Sequence, residues 1–393
     1  MKKTLAFVLA LVLVLGLAAC KSSTDNTSPS PSAVTTSESP AASPSAAPST
    51  TPGAVDIALI TDVGNIDDHS FNQGTWEGVT EYATDNGLNA QYFRPTEDSD
   101  QARVEAMTSA INAGAKVIVT PGYLFAAAVA QMSASNPDVM FLGIDMTDDA
   151  VAGTGFGDIA TPLPNVSLVK FQEEQAGYLA GYAIVSDGYT KLGFIGGINV
   201  PAVIRYGYGY IQGADAAAKD LGLAKDAVTM NYWYSNTFSA SDEILNTASS
   251  WYTGGTEVIF SCGGGIYSSI VSAAQSENKK VIGVDVDQAS VDPCIITSAM
   301  KELGGAVVKA LTDLYDNSGT WPSAYAGQCQ NLGAKDDMVG LPTASDSWRF
   351  ATYTVDDYQT LLAKLADGTV VVNDSADPNV MPTTDIVNVT VNS

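Results

Sequence analysis

The chain has 393 residues, of which 46% are apolar, and its formal net charge is -25 at pH 7. It carries only 18 lysines and arginines, too few for the basic surface that nucleic acids require, so we expect no nucleic-acid partner. The excess of acidic residues is typical of a protein that stays soluble at a cell surface.

The first residues, MKKTLAFVLALVLVLGLAAC, have the form of a secretory signal, with two lysines, an apolar run and small residues before Cys20. The apolar run is too short to span a bilayer comfortably. The ending LAAC also has the form of a lipobox, a cleavage site followed by a cysteine. We therefore predict a lipoprotein signal peptide over 1–19 and lipidation of Cys20, which anchors the protein at the extracytoplasmic face of the cell membrane.

Residues 20–53 are predicted to form a disordered linker behind that lipidated cysteine. The segment is almost entirely Ser, Thr, Pro and Ala, and it cannot bury enough apolar surface to offset its conformational entropy. The rest of the chain, 54–393, exceeds what one hydrophobic core usually serves, which predicts two packed domains.

Short apolar runs rich in Val and Ile alternate with longer segments of helical periodicity. The runs predict buried strands of parallel sheets at 55–60, 116–120, 139–144, 191–197, 257–262 and 280–285. Helices are predicted between them at 101–114, 167–184 and 267–278. This order indicates right-handed crossovers and doubly wound α/β layers.

Ligands of doubly wound sheets bind outside the carboxyl ends of the strands. Five segments follow predicted strands in this way: DVGNIDDHSFN (62–72), DMTDD (145–149), GGINVPAVIRYGYGY (196–210), GGGIY (263–267) and VDVDQ (284–288). We expect these segments to meet at one site.

Catalytic and metal-binding patterns are weak. His69 is the only histidine, and it lies in a polar loop between Asp68 and Ser70, where exposure or helix capping is its expected state. One histidine and scattered acids lack metal-ligand spacing, although Asp67 and Asp68 could contact a calcium ion. The glycine-rich segments lack the spacing of phosphate-binding loops. We expect no enzyme, no cofactor and no metal.

Binding chemistry is better represented. Phe71 offers a ring for stacking beside the paired donor and acceptor of Asn72, a combination suited to a flat heterocycle. Asp285, at a strand end, can accept hydrogen bonds from a pair of sugar hydroxyls.

The segment TDVGNIDDHSFNQGTWEGV (61–79) resembles the TDxGxxDDxSFNQxxxxG signature of the basic membrane protein family. These lipoproteins are solute receptors of ABC transporters, and they include purine-nucleoside receptors. Three further segments agree with family motifs: PNVSLVKFQEEQAGYLAGY (164–182), PAVIRYGYGYIQG (201–213) and VIGVDVDQ with the later TSAMK (281–301). The similarity covers nearly everything from 55 to 393.

The resemblance implies a type I periplasmic-binding-protein fold, an α/β architecture of two lobes joined by three crossing strands with the ligand enclosed between them. We expect lobe 1 to comprise 54–165 and 286–325, and lobe 2 to comprise 166–285 and 326–393. The implied protein is a monomer that binds purine nucleosides and delivers them to the permease of an ABC importer.

Eight ligand-binding residues follow by position: Asp62, Phe71, Asn72, Asp145, Tyr206, Gly263, Asp285 and Lys301. The resemblance implies that Phe71 and Tyr206 stack on opposite faces of the purine. Asn72 and Asp145 would bond its edge, and Asp285 and Lys301 would hold the ribose hydroxyls. The family usually has lysine in place of His69 and phenylalanine in place of Tyr206.

Alternatives remain at this stage. Phe71 could pack as a hydrophobic staple, Tyr206 in the core and Lys301 in solvent, and Asp285 could cap the next segment. A receptor for a sugar or another small solute with the same fold, or a surface sensor without transport, would also fit the sequence. Among the cysteines after the signal, a Cys294–Cys329 bridge is weakly favoured, with Cys262 as a core residue.

Overall fold

A computed structural model describes residues 54–154 and 162–392. The predicted signal peptide, Cys20 and the linker lie outside the described residues. Within the described ranges, none of the helices has both the length and the apolar character needed to cross a membrane.

The secondary structure alternates strands and helices along the chain. The strands are β1 Ile57–Ile60, β2 Ala90–Phe93, β3 Val117–Pro121, β4 Met140–Ile144, β5 Val166–Phe171, β6 Lys191–Gly196, β7 Val228–Tyr234, β8 Val258–Cys262, β9 Lys280–Asp285, β10 Ile295–Lys301, β11 Gln328–Leu332, β12 Val339–Gly340 and β13 Val387–Val391. The helices are α1 Phe71–Asn86, α2 Asp100–Asn112, α3 Ala126–Ser135, α4 Asp148–Ala152, α5 Glu173–Ser186, α6 Pro201–Asp220, α7 Asp242–Thr253, α8 Tyr267–Glu277, α9 Leu303–Asp316 and α10 Val355–Ala366.

The strands form two sheets. The first has the order β11-β5-β4-β3-β1-β2, and the second has the order β12-β10-β9-β8-β6-β7-β13. Every neighbouring pair is parallel except β10 with β12. All residues of β1, β3, β4 and β8 are buried, as expected for continuous apolar runs in sheets covered on both faces. The predicted doubly wound α/β class is confirmed.

The chain passes between the lobes three times, after β5, after β10 and after β11. The sheets therefore differ from the predicted lobe boundaries, because β5 and β11 belong to lobe 1 and β10 belongs to lobe 2. For β5 the cause lies in the segment 167–184, whose pattern predicts one helix. Its first part is the buried strand β5, held between β4 and β11, and the helix begins only at Glu173.

The weakly favoured Cys294–Cys329 bridge is wrong. Cys294 precedes β10 in lobe 2, whereas Cys329 lies within β11 in lobe 1, and both thiols are free. Sequence spacing could not show that the two cysteines lie in different lobes. Cys262 ends the buried strand β8 and is a core residue, as predicted.

Helices α5 and α6 cross with their backbones nearly in contact. A Cβ atom on any of four glycines would lie only 2.0–2.2 Å from a carbonyl oxygen of the facing helix: Gly177, Gly181, Gly209 and Gly213. Such an approach requires residues without a side chain. It also brings Arg205 on the second turn of α6 against Glu173 on the first turn of α5, and both belong to the site described below.

We expect Gly213→Ala to lower the free energy of unfolding by about 1–3 kcal/mol, the usual cost of overpacking a filled core. The added methyl group would lie 2.0 Å from the carbonyl oxygen of Tyr178, so the helices must separate. Denaturant unfolding measures the effect. Gly305→Ala is the matched control, because the nearest described atom to a Cβ there is the Glu302 Cβ, at an ordinary contact distance of 3.7 Å. That substitution should be neutral or add about 0.5–1 kcal/mol of helix stability, and equal losses in both variants would contradict this account.

Candidate functional site

A cavity lies between the lobes, at the carboxyl ends of the parallel strands. Each of the five segments that follow predicted strands contributes to its wall. Seven of the eight predicted ligand-binding residues line it: Asp62, Phe71, Asp145, Tyr206, Gly263, Asp285 and Lys301. The rest of the lining is largely apolar, with Leu124, Val203 and Val284 among its members.

The two lobes present their acids to the cavity in the same way. Asp145 directly follows β4 with φ 56°, and Asp285 ends β9 with φ 67°. Gly122 and Gly263 each begin a short turn after a neighbouring strand, with φ 118° and 141°. Glycine adopts positive φ without strain, whereas for Asp145 and Asp285 this region costs free energy and persists mainly where function requires a particular side-chain direction.

The β1–α1 loop is organised by Asp68, whose carboxylate accepts backbone N–H groups of Ser70, Asn72 and Gln73 at 2.9–3.1 Å. The Asn72 side chain, 1% exposed, donates both amide hydrogens, to Asp62 at 2.7 Å and Asp68 at 2.8 Å. It does not line the cavity. The predicted role of Asn72 at a ligand edge is therefore corrected, because its donors hold the loop together.

Lys301 lies at the centre of a buried charge cluster. It is 3% exposed, so the alternative of a solvated lysine is wrong. Its Nζ lies 2.5 Å from Asp145 Oδ2, 3.4 Å from Asp285 Oδ1 and 3.8 Å from Glu173 Oε1. The ammonium also lies 4.5 Å from the Phe71 ring centroid and 5.5 Å from that of Tyr206. Both rings thus contact the Lys301 cation, and the negative faces of the rings stabilise its charge.

Sequence reasoning missed the second half of this cluster. The Arg205 guanidinium on α6 donates to Glu173 at 2.6 Å and lies 3.9 Å from Glu174, both at the start of α5. Burial opposes ionisation of Glu173, but Arg205 and Lys301 together lower its pKa. Burial and the charge of Glu173 raise the pKa of Glu174 to about 7. The sequence does not indicate that two acids at a helix start are buried. Their burial depends on the close contact of α5 with α6 at the glycines.

Burial also shifts the acids that line the cavity. It raises the pKa of Asp145, against the attraction of Lys301, and it raises the pKa of Asp62 to about 6. Such perturbed carboxyls are typical of functional clefts.

Contacts between the lobes close one side of the cavity. The Ser70 hydroxyl donates to Asp285 at 2.6 Å, and the Gln288 amide donates to the backbone carbonyl of His69 at 2.8 Å. The His69 ring meets Tyr267 edge-on, with centroids 6.2 Å apart. His69 is exposed and does not line the cavity, so the structure places its imidazole at the rim.

Phe238, from the loop between β7 and α7, also lines the cavity and was not predicted. Its carbonyl accepts from Gly265 N–H at 2.8 Å, and its ring covers Gly197 and Gly263. No local pattern distinguishes this phenylalanine from other loop aromatics, because its position depends on the packing of two turns against it.

Residues 55–374 match the sequence model of the Bmp family, which describes PnrA-like substrate-binding proteins of ABC transporters. The chain belongs to this family. The Bmp family protein is therefore a substrate-binding protein rather than an enzyme, and membership implies a solute ligand and a membrane permease as partners.

Two relatives illustrate the similarity. Basic membrane protein B of Borreliella burgdorferi is 29% identical over 298 residues, which cover 74% of this chain and 82% of that protein. The ABC transporter nucleoside-binding protein BmpA of Lactococcus lactis is 27% identical over 279 residues, covering 65% of this chain and 73% of that protein.

Solved structures agree with the fold of this Bmp protein. An ABC transporter solute-binding protein of Aeropyrum pernix superposes with a TM-score of 0.68 at 20% identity, covering 83% of this chain and 95% of that one. The arabinose-binding protein AraP of Geobacillus stearothermophilus superposes with a TM-score of 0.54 at 12% identity, covering 76% and 100%. The predicted type I periplasmic-binding-protein fold is confirmed.

Proposed function

We propose that this Bmp family protein is a receptor that binds purine nucleosides in the interlobe cavity and delivers them to the permease of an ABC importer. The observation that carries the proposal is the set of residues that line the cavity. Two aromatic rings, Phe71 and Tyr206, lie beside the buried Asp145, Asp285 and Lys301 in an otherwise largely apolar space. A nucleoside needs this combination, because its base has apolar faces while its base edge and sugar are polar.

The polar groups divide between the two ends of such a ligand. Asp145 Oδ1 is buried and without a hydrogen-bond partner among the described residues, so it can accept an N–H from the base edge. Asp285 and Lys301 offer an acceptor and a donor to the ribose hydroxyls, in exchange for part of their present contacts.

Closure of the lobes supplies the mechanism. The open form admits the solute, and closure brings the Ser70–Asp285 and Gln288–His69 contacts together around it. Closure excludes water, which strengthens every electrostatic interaction inside the cavity. The closed shape is then what the permease recognises.

The nucleoside-binding relative in Lactococcus lactis supports this ligand class. A sugar ligand is the main alternative, because sugars also stack on aromatic rings and type I folds include a sugar receptor. The second alternative is a surface sensor that delivers its ligand to no transporter.

A thermal-shift panel tests the ligand class. A ligand that binds only the folded state raises the melting temperature, because it adds a stability that grows with the logarithm of its concentration over Kd and reaches about 2.7 kcal/mol at a hundredfold excess. We expect purine nucleosides to stabilise the protein and hexoses to leave it unchanged. Stabilisation by hexoses alone would contradict the proposal. Deletion of the cognate permease separates transport from sensing, since uptake of labelled nucleoside should then stop.

We also propose that the protein is lipid-anchored through Cys20 at the extracytoplasmic face of the membrane, as the lipobox predicts. Labelled fatty acid should be incorporated into the wild-type protein, and Cys20→Ala should remove the label and release the protein, because acyl chains are the expected source of its attachment. Ser22→Ala, two residues after Cys20, is the control, and this variant should keep both the fatty-acid label and the membrane attachment. Retention of Cys20→Ala in the membrane fraction would place the anchor elsewhere.

A further inference from the structure

Tyr206, on the second turn of α6, has a hydroxyl without a partner in the part of the chain that the structure describes. The residue is 2% exposed, lines the cavity, and makes no side-chain hydrogen bond to any described residue. Leaving a buried hydroxyl unpaired costs about 1–3 kcal/mol. Such a group is normally satisfied by something, and inside a ligand cavity the ligand is the natural partner.

Tyr210, one turn later on α6, provides an internal comparison. Its hydroxyl is also buried and has no hydrogen-bond partner within 54–154 and 162–392. Both tyrosines meet Phe260 edge-on, with centroids 6.0 Å and 5.3 Å from it. Only Tyr206 lines the cavity. The two residues thus share their chemistry, burial and aromatic neighbour, and they differ in access to the ligand.

The surroundings of Tyr206 keep its hydroxyl protonated. Burial, followed by the charges of Asp285 and Glu173, raises its pKa well above the ordinary value. A neutral phenol both donates and accepts a hydrogen bond. The three carboxylates of the cluster accept only, and Lys301 donates only, so the Tyr206 hydroxyl adds a contact of a different kind to the wall.

We propose that the Tyr206 hydroxyl hydrogen-bonds directly to a polar atom of the bound nucleoside and is a specificity-determining group of this receptor. The inference rests on the proposed function and extends it. The ring supplies a surface that tolerates any base, whereas the hydroxyl discriminates between nucleosides that differ at one atom. A site built to hydrogen-bond one ligand group rejects analogues that lack it, because its own polar group is then left unpaired.

The test compares Tyr206→Phe with Tyr210→Phe, each of which keeps the ring and removes only the hydroxyl. Both variants and the wild type are titrated calorimetrically with guanosine, inosine, adenosine and their 2′-deoxy forms. We expect Tyr206→Phe to weaken the tightest-binding nucleoside by about tenfold, the value of one buried hydrogen bond. Tyr210→Phe should keep the wild-type affinity. Ligand-free Tyr206→Phe should melt no lower than the wild type, since it loses an unpaired group.

The analogue series identifies the contacted atom. For an analogue that lacks this atom, wild type and Tyr206→Phe should bind equally, so the variant loses discrimination as well as affinity. The inference is overturned if Tyr206→Phe binds every nucleoside as the wild type does, or if both variants lose affinity equally, which would indicate a packing effect. Failure of the proposed function looks different, because the wild type would then bind none of the nucleosides.

Discussion

Lys301→Met should lower the free energy of unfolding by about 3–5 kcal/mol, the usual cost of removing one partner from a buried ion pair. The ammonium lies within 4 Å of the carboxylates of Asp145, Asp285 and Glu173. Methionine matches the length of the lysine stem but leaves these acids without their shared cation. Arg205 cannot replace it, because its guanidinium is already paired with Glu173.

Urea unfolding followed by circular dichroism measures the loss. Lys309→Met is the matched control, because Lys309 lies on the surface of α9, where among the described residues it forms an ion pair with Asp313, four residues on, and contacts the Tyr325 ring at 5.8 Å. Exposed pairs of this kind contribute about 0–1 kcal/mol. A Lys301→Met protein as stable as the Lys309→Met control would show that the acids are neutral in the folded protein, and the charge cluster would need a different description.

Phe71→Ala should weaken nucleoside binding by about 1–3 kcal/mol, or about 5- to 150-fold, because it removes an aromatic surface on which the base stacks. Phe71 is half-buried at the start of α1, and its ring lies beside Gly122, where a Cβ would be 3.6 Å from it. Its removal leaves the Asp68 and Asn72 contacts of the loop in place.

His69→Lys is the control for the same loop. The contacts of His69 across the cleft come from its backbone carbonyl and the edge of its ring, and its side chain does not line the cavity. Affinity should therefore stay within about tenfold of the wild type, or about 1.4 kcal/mol. The reverse pattern, with binding abolished by His69→Lys and unaffected by Phe71→Ala, would mean that the loop roles are assigned backwards.

The strands that the sequence predicts best are those with continuous apolar runs, since burial on both faces leaves no room for polar residues. The segment around β5 was predicted less well. The polar run QEEQ (172–175) separates Val166–Phe171 from the apolar residues of α5, but such a run also fits within one helix, so the pattern predicts a single helix over 167–184 and a lobe boundary before β5. Edge strands such as β13, whose residues are largely exposed, carry too little apolar pattern to be found.

Within the site, the sequence predicts which residues lie near the cavity better than it predicts their hydrogen-bond partners. The rule that ligands bind at strand ends brought Asp145, Tyr206 and Asp285 to one cavity. It could not show that the Asn72 amide is taken by Asp62 and Asp68. Likewise, the burial of Glu174 and the hydroxyl environment of Tyr206 depend on how closely α5 and α6 approach, which is a property of the folded chain.

Calorimetric titration of the wild-type protein tests the central claim most directly. If the interlobe cavity is a nucleoside site, a purine nucleoside should bind saturably with one ligand per chain. Glucose and arabinose should give no heat of binding. The same titration with Phe71→Ala should give a Kd larger by about 5- to 150-fold. Saturable binding of a sugar, with no heat from any nucleoside, would contradict the account and assign this cavity to a different solute.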